Sequence, residues 1–311
     1  IAEPRVGGDL EFELRRLAGR RNVSVEELLE TLGSGNDYDQ GLRAFAEKDY
    51  DAAIRHADNA ALSSLEVAAD ALFLKGKSSE RLKDVTAARD AYRRALTVDP
   101  VHEGALFALG FLLAKEGDFK SAIPYLNRFV RQQPKSQIGN YALGLSLHQE
   151  GEYKAAILPL TIALSVVRRV RVYGGTVIVE GQDAPAGQGY PIKERFDGTL
   201  SLLPEGASLK STSQSTRIIM EPPLHTSWNP RRALELKADS LNRTGNHQAA
   251  LANFTVLQEA GYEPAGVLYG LAWAQCELGL HSNCRENLNR LVVVEPNLPE
   301  VWAHLVSVNA Q

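Results

Sequence analysis

The sequence predicts a mainly α protein, an α-solenoid of paired helices broken once by a small inserted β domain, and three observations predict it. The stretch LGFLLAKEGDFKSAIPYL, Leu109 to Leu126, returns 34 residues later as LGLSLHQEGEYKAAILPL, Leu143 to Leu160. Within each copy the apolar residues recur at helical spacing on either side of a break at Gly117-Asp118 or Gly151-Glu152. Between residues 168 and 229 the period changes to short β-branched runs. A fixed period of this length is the mark of a repeat array, in which each unit buries its apolar face only against its neighbours.

Composition narrows the class. Of 311 residues, 44% are hydrophobic and 23% charged, values of a folded globular chain and far from those of disorder. A net charge of −4 offers nucleic acid no general attraction. Arg15-Arg16 and Arg20-Arg21 are interleaved with Glu11, Glu13, Glu26 and Glu27, so these arginines read as solvated helix faces. The longest apolar run, Ala155 to Val167, contains Pro159 and falls short of the ~18 residues of a membrane span, so no integral membrane segment is expected. The N-terminus lacks the apolar stretch of a signal peptide. A soluble chain is expected, cytoplasmic, or periplasmic or exported if a signal peptide has been removed.

Taken in chain order, residues 1–33 predict an N-terminal helical cap. Ser24-Val25-Glu26-Glu27 has the form of a capping box ahead of a short helix from Val25 to Leu32, and Asp9 to Leu17 makes another. Residues 34–167 predict about four helix pairs. In the unit from Glu103 to Ser136, one stripe runs through Leu106, Leu109, Gly110 and Leu113, and a second through Ala122, Leu126 and Phe129. Gly110 and Ala122 are small where the two helices must cross, and Asp118 is placed to cap the second helix. Pro100 and Pro134 close successive units. Two more units, with a C-terminal capping helix, are predicted over 230–311.

These residues resemble the tetratricopeptide repeat (TPR) family, whose units of 34 residues carry a small residue in each helix, an aromatic after the turn and a closing proline. The same pattern reads through Ser34 to Ser63 (Gly41, Tyr50, Ala53) and Ala69 to Pro100 (Leu72, Gly76, Ala88, Tyr92, Ala95). It resumes in Arg231 to Pro264 and Ala265 to Leu298, and Pro299 to Ala310, with Trp302, looks like a first helix without its second. The first unit departs from the pattern at Asp37 and Gln40, and the fourth has Arg168 where a proline is expected. The resemblance implies a non-enzymatic scaffold that binds a protein or peptide on the concave face lined by the first helix of each unit.

The interruption, 168–229, predicts an inserted β-rich domain. Arg169 to Tyr173 and Thr176 to Glu180 flank Gly174-Gly175, a hairpin signal. Further strands are expected at Ile192 to Phe196, Gly198 to Leu203, Ala207 to Lys210 and Arg217 to Met220. FDGTLSLLPEGASLKS reads as another hairpin, loosely similar to strand pairs of pleckstrin-like modules, and transfers no ligand. The helix Ala155 to Val167 has no charged residue on any face, so Ile162 and Val166 are expected to pack on a sheet bearing Val170, Val172, Val177 and Val179.

The usual catalytic motifs are incomplete or absent in the sequence. Gly76-Lys77-Ser78 looks like the tail of a phosphate-binding loop, but Ala71 stands where the first glycine belongs and a helix precedes it. The seven histidines form no H-E-x-x-H, and no G-x-S-x-G is present. No catalytic residue, metal site or cofactor is expected. Cys276 and Cys284 flank His281; buried free thiols are the preferred reading, a disulfide the alternative, and a three-ligand metal site stands behind both.

Projection of the helical spacing leaves Phe73, Phe107, Phe111, Tyr141, Leu145, His148, Tyr269 and Trp273 outside the packing stripe on the inward face. With Lys77 they form the candidate groove, its rings serving as anchors for an apolar or aromatic segment, and His148 and Lys77 as polar specificity points. The competing reading has superhelical curvature or the insertion burying these rings. Relatives that hold a chain-terminal carboxylate use lysine and asparagine on this face, and Phe73, Phe107 and Phe111 replace most of that set. Two further readings stay open: an adaptor whose insertion carries a lipid-binding, ligand-binding or enzymatic role, and self-association through the helix around Trp302.

Overall fold

The computed structural model describes residues 36–165, 229–259, 261–297, Val301 and Leu305, together with the backbone of strands lying within 168–220. Twelve α-helices are found among them. The first six are α1 (Asp37–Ala46), α2 (Tyr50–Ser63), α3 (Ala68–Arg81), α4 (Val85–Val98), α5 (Glu103–Lys115) and α6 (Phe119–Gln132). The second six are α7 (Gln137–Gln149), α8 (Tyr153–Ser165), α9 (Pro230–Arg243), α10 (His247–Glu259), α11 (Ala265–Glu277) and α12 (His281–Val294). The chain forms two compact units, Ile1–Pro134 and Lys135–Pro223 with Ser227–Gln311. In the first, each helix from α2 to α6 packs on its predecessor; in the second, the same holds from α8 to α12.

Local chemistry sets the pairs. Between the helices of a pair the chain enters the left-handed region, at Lys48 (φ 66°), Lys83 (φ 64°), Gly117 (φ 85°) and Gly151 (φ 80°). Only glycine adopts that conformation without steric cost, so the two lysines each carry about 1–2 kcal/mol of strain that the glycines avoid. An aspartate follows each of the first three turns and caps the next helix: Asp49 accepts from the Ala52 N–H at 3.0 Å, Asp84 from Ala87 at 2.9 Å and Asp118 from Ser121 at 3.2 Å.

Within a pair the helices cross where one of them lacks a side chain. A Cβ on Gly110 would lie 2.8 Å from Leu126 Cγ, and one on Gly144 would lie 2.6 Å from Leu160 Cγ; Gly76 faces the Tyr92 ring in the same way. Tyr92, Leu126 and Leu160 are fully buried as a result. Each such side chain contributes roughly 1.5–3 kcal/mol by leaving water. Gly76-Lys77-Ser78 therefore lies inside α3, with the Ser78 hydroxyl donating to the Leu74 carbonyl at 2.9 Å.

The interruption does not break the stacking of the second unit. Helix α8 packs on α7 before the interruption and on α9 after it. Ile157 and Leu164 of α8 join a core made by Leu234, Ala238 and Leu241 of α9, Phe254 and Leu257 of α10, and Val267 and Leu271 of α11. The next repeat helix thus covers part of the charge-free helix, while the expected packing of Ile162 and Val166 on the strand valines involves side chains outside the described residues. Ile162 is half-buried, while Val166 and the side chains of Val170, Val172, Val177 and Val179 lie outside the described residues.

Between α8 and α9 the backbone forms seven short strands: β1 (Arg168–Tyr173), β2 (Gly175–Val179), β3 (Gln182–Ala184), β4 (Gly189–Glu194), β5 (Leu200–Leu202), β6 (Ser208–Ser211) and β7 (Arg217–Met220). One sheet has the order β5-β4-β1-β7 and the other β3-β2-β6. Both expected hairpins are thereby corrected. β1 pairs with β4 (Arg168 opposite Ile192) and β7 (Val170 opposite Met220), whereas β2 pairs with β3 and β6. A single residue separates β1 from β2, too few for the two-residue turn that would fold one back on the other. Likewise β5 pairs with β4 and β6 with β2, so the run from Phe196 to Ser211 divides between sheets.

Cys276 and Cys284 are joined in a disulfide, their Cα atoms 5.4 Å apart, which corrects the preference for free thiols. Cys276 ends α11 and Cys284 sits in the first turn of α12, so the tight connection at Leu278–Leu280 brings them face to face. Val301 and Leu305 are buried with Leu268, Ala272, Leu288 and Leu291, closing the last pair. The expected N-terminal cap at 1–33 and Trp302 lie outside the described residues.

Replacing Gly110 with alanine should lower stability by about 1–3 kcal/mol through overpacking against Leu126, despite alanine's higher helix propensity. Denaturant unfolding of the two chains measures this, and equal midpoints would refute the close crossing. Thiol titration of the unfolded, unreduced chain should find no free thiol, and two after reduction. Loss of the bond should cost roughly 2–3 kcal/mol for so short a loop.

Candidate functional site

The first helix of each pair carries the residues that the repeat pattern places in the groove, and each unit treats them differently. In the first unit Phe73 is buried, 7% exposed, with its ring 5.8 Å from that of Tyr92 and 5.2 Å from that of His102. Gly104 makes its seat, since a Cβ there would lie 2.8 Å from Phe73 Cζ. Phe73 thus belongs to the packing between pairs, a correction to its placement outside the stripe. Lys77 donates to Glu80 at 3.3 Å, and the Tyr92 hydroxyl donates to the same carboxylate at 2.5 Å. Phe107 and Phe111 remain half-buried, their rings 5.5 Å apart, and Phe107 also meets Phe129 at 4.9 Å.

In the second unit Tyr141 is also buried, at 8% exposure, and this too corrects the groove assignment. Burial raises its phenol above the ordinary value, opposed by the nearby Arg232 charge and helped by Glu235. Glu235, itself buried, pairs with Arg232 at 2.7 Å and accepts from the Tyr262 hydroxyl at 3.2 Å. The other predicted residues gather around α9. His148 Nε2 lies 2.8 Å from Asp239, which also accepts from Arg243 Nε at 2.7 Å. The Arg243 guanidinium lies 4.8 Å from the Tyr153 ring centroid and 5.9 Å from that of Trp273, and the Tyr269 and Trp273 rings are 6.4 Å apart. Leu145, His148, Tyr153, Tyr269 and Trp273 are all half-buried.

This cluster contains Asp239, Arg243 and Tyr153, which sequence projection missed. Two positions had a signal: Glu235 and Asp239 stand 34 residues before Tyr269 and Trp273, at the same places in the repeat. A search for exposed aromatics passes over carboxylates at those places. Arg243 and Tyr153 become visible only when α8 and α9 are known to touch across the interruption.

The chemistry is that of a fixed surface. Asp239 ties His148 of α7 to Arg243 of α9, and Arg243 lies over rings from α8 and α11, so four helices hold one another's polar groups in place. Burial alone would raise the Asp239 carboxyl, but hydrogen bonds from His148 and Arg243, with the charge of Arg243, outweigh it and hold the group below the ordinary carboxylate value. Burial pushes the half-buried Lys237 amine down. Among the described residues, no group of three or more His, Cys, Asp or Glu side chains is arranged to hold a metal ion, and no helix is long and apolar enough to cross a membrane.

The paired helices, the left-handed turns and the small residues at each crossing define a tetratricopeptide-type α-solenoid. Residues 38–103 and 107–165 match the family model described as Tetratricopeptide repeat, and the chain carries tetratricopeptide repeats there. Its fold is similar to that of YrrB, described as a TPR protein with an unusual peptide-binding site. The TM-score is 0.51 at 14% identity, covering 77% of this chain and 92% of YrrB. MamA AMB-1 aligns with a TM-score of 0.46 at 15% identity, over 72% of this chain and 88% of MamA. PilW, described as a widely conserved type IV pilus biogenesis factor, aligns with a TM-score of 0.42 at 15% identity, over 86% of this chain and 96% of PilW. Comparison with curated proteins finds no match.

The folded Asp239 carboxyl titrates below an unfolded one, so its stabilisation is complete above about pH 4 and is lost as pH falls through the folded value. Asp239→Asn should therefore lower stability at pH 7 by about 1–3 kcal/mol and flatten the acid limb of the stability profile. Unfolding measured from pH 7 down to pH 2 checks both, and parallel profiles would show that Asp239 is not held in this way.

Proposed function

We propose that this chain is a non-enzymatic scaffold that binds an apolar or aromatic segment of a protein or peptide on the concave face of its repeat array. The observation that carries the reading is the half-buried pair Tyr269 and Trp273 beside the Arg243 guanidinium, with Asp239 already occupied by His148. The internal polar pairing ties the charged groups of this cluster to one another, which favours an apolar ligand over a charged one. Phe107, Phe111 and Leu145, also half-buried, supply further apolar surface on first helices of their own units. Phe73 and Tyr141, being buried, support the scaffold from beneath. Lys77 and His148, each paired to a carboxylate, orient neighbours more than they offer free charge.

YrrB shares the fold and is described as having a peptide-binding site, which supports the class of role. The net charge of −4 keeps nucleic acid out of the reading. The proposal treats residues 168–229 as a module carried by the array, with no chemistry assigned to it. It places the chain in an oxidising compartment, where a disulfide such as Cys276–Cys284 persists.

Selection from a random peptide display library should enrich aromatic and aliphatic sequences on the parent chain. Trp273→Ala should weaken the selected peptides about tenfold or more, as a truncated anchor residue does, with helical content unchanged. Enrichment and affinity unaltered by Trp273→Ala would overturn the proposed face.

A further inference from the structure

A second surface lies on the second unit, at the seam where α8 receives α9. The residue just before the small one at each crossing recurs along the array. In α5, α7 and α11 it is leucine, and Leu109, Leu143 and Leu271 are buried. In α3 it is Lys75, whose amine donates to both carboxylate oxygens of Asp58 on α2, at 2.7 and 2.8 Å. In α9 it is Lys237, which precedes Ala238 as Lys75 precedes Gly76.

The seam gives Lys237 no such partner. Ala53 and Ala156 are the fully buried small residues of α2 and α8, so Asp58 and Thr161, each five residues on, hold the same place in the repeat. Ala61 and Leu164, three residues further along, each join the core of the next first helix, so the two seams pack alike. The Thr161 hydroxyl is turned to its own helix, donating to the Ile157 carbonyl at 2.8 Å. The one charged residue in the sequence of α8 is Lys154. Lys237 is half-buried, and among the described residues no carboxylate pairs with it. Burial, unopposed by a neighbouring charge, pushes its amine below the ordinary value. A half-buried cation without a partner, where the array elsewhere buries leucine, weakens the seam. Departures of this kind from a chain's own packing pattern are expected at functional sites. Beside it α8 offers apolar surface to water: Leu158, one turn before Thr161 and Ile162, is 66% exposed.

We infer that the α8–α9 seam is a docking site for an aliphatic, carboxylate-bearing segment of a partner protein, its carboxylate taking at Lys237 the place that Asp58 takes at Lys75, and its aliphatic side chains covering Leu158. Charge complementarity selects the occupant. A half-buried ammonium in an apolar seam repels a cationic segment and is left unpaired by a purely aliphatic one. A twofold contact through α8 would set this helix against its own copy, which brings a lysine and no carboxylate. The site draws on none of the aromatic rings of the proposed concave face, so a scaffold of this kind would hold two segments of different chemistry.

The test is fluorescence anisotropy with a labelled peptide of alternating glutamate and leucine, read on the full chain. The parent should bind it more tightly than it binds oligoglutamate of equal charge, and should ignore the lysine-leucine counterpart. Lys237→Gln and Leu158→Ser should each weaken binding roughly fivefold or more, while Trp273→Ala leaves it unchanged. Thr161→Asp should weaken it as much, by giving Lys237 the internal partner that Lys75 has. Lys237→Leu, which installs the leucine of α5, α7 and α11, should abolish binding and raise the midpoint of denaturant unfolding. A parent that does not bind the peptide, or unchanged affinity in Lys237→Gln, would overturn the inference, as would oligoglutamate binding as tightly as the glutamate-leucine peptide. A lowered midpoint in Lys237→Leu would show the amine already served within the chain, and equal weakening by Trp273→Ala would move the contact to the concave face; either result overturns it. Sedimentation showing a parent dimer that Leu158→Ser dissolves would assign the seam to self-association and overturn it equally.

Discussion

A glycine at the centre of a first helix lets the second helix of the pair approach until a large side chain fills the missing Cβ volume. Gly76 with Tyr92, Gly110 with Leu126 and Gly144 with Leu160 repeat this contact, and in each case the filling residue is fully buried. The close approach leaves little freedom in how the pair is set, because an interior at crystal-like density penalises a void or an extra methylene alike. Everything on the first helices, including which side chains end half-buried, follows from that setting. The aspartate caps and left-handed turns support the crossing by starting each second helix at the right residue.

The second unit carries the same stacking across more than sixty residues of interruption, running from β1 to the start of α9. Helix α8 supplies Ile157 and Leu164 to a core completed by α9, α10 and α11, so α9 is received as the next repeat helix. Apolar burial is non-directional and indifferent to chain order, and it needs only a complementary stripe at the right distance. The polar pairing then follows the packing: His148 and Asp239 are 91 residues apart in sequence and 2.8 Å apart in space. A site assembled in this way depends on the array remaining closed at the insertion point.

Around α9, carboxylates and guanidinium groups neutralise one another. A repeat array suits such local pairing, because each pair contacts only its neighbours. The disulfide ties α11 to α12.

Sequence by itself determined the helical repeats, their turns and the small-residue crossings, because these depend on local propensity and on contacts of short, constant sequence separation. The Asp118 cap and the stripe through Leu106, Leu109 and Leu113 were legible for that reason. What the tertiary structure decided involves partners at variable separation. Phe73 is buried because Gly104 leaves room for its ring, and Tyr141 is buried on the unit that contains Arg232 and Glu235, beyond the interruption. Strand partners were not legible, since a short β-branched run fits many neighbours equally and pairing is chosen by the whole chain. The two cysteines looked like packing residues by repeat position, and only the geometry of the α11–α12 connection, with Cα atoms 5.4 Å apart, made them a bond.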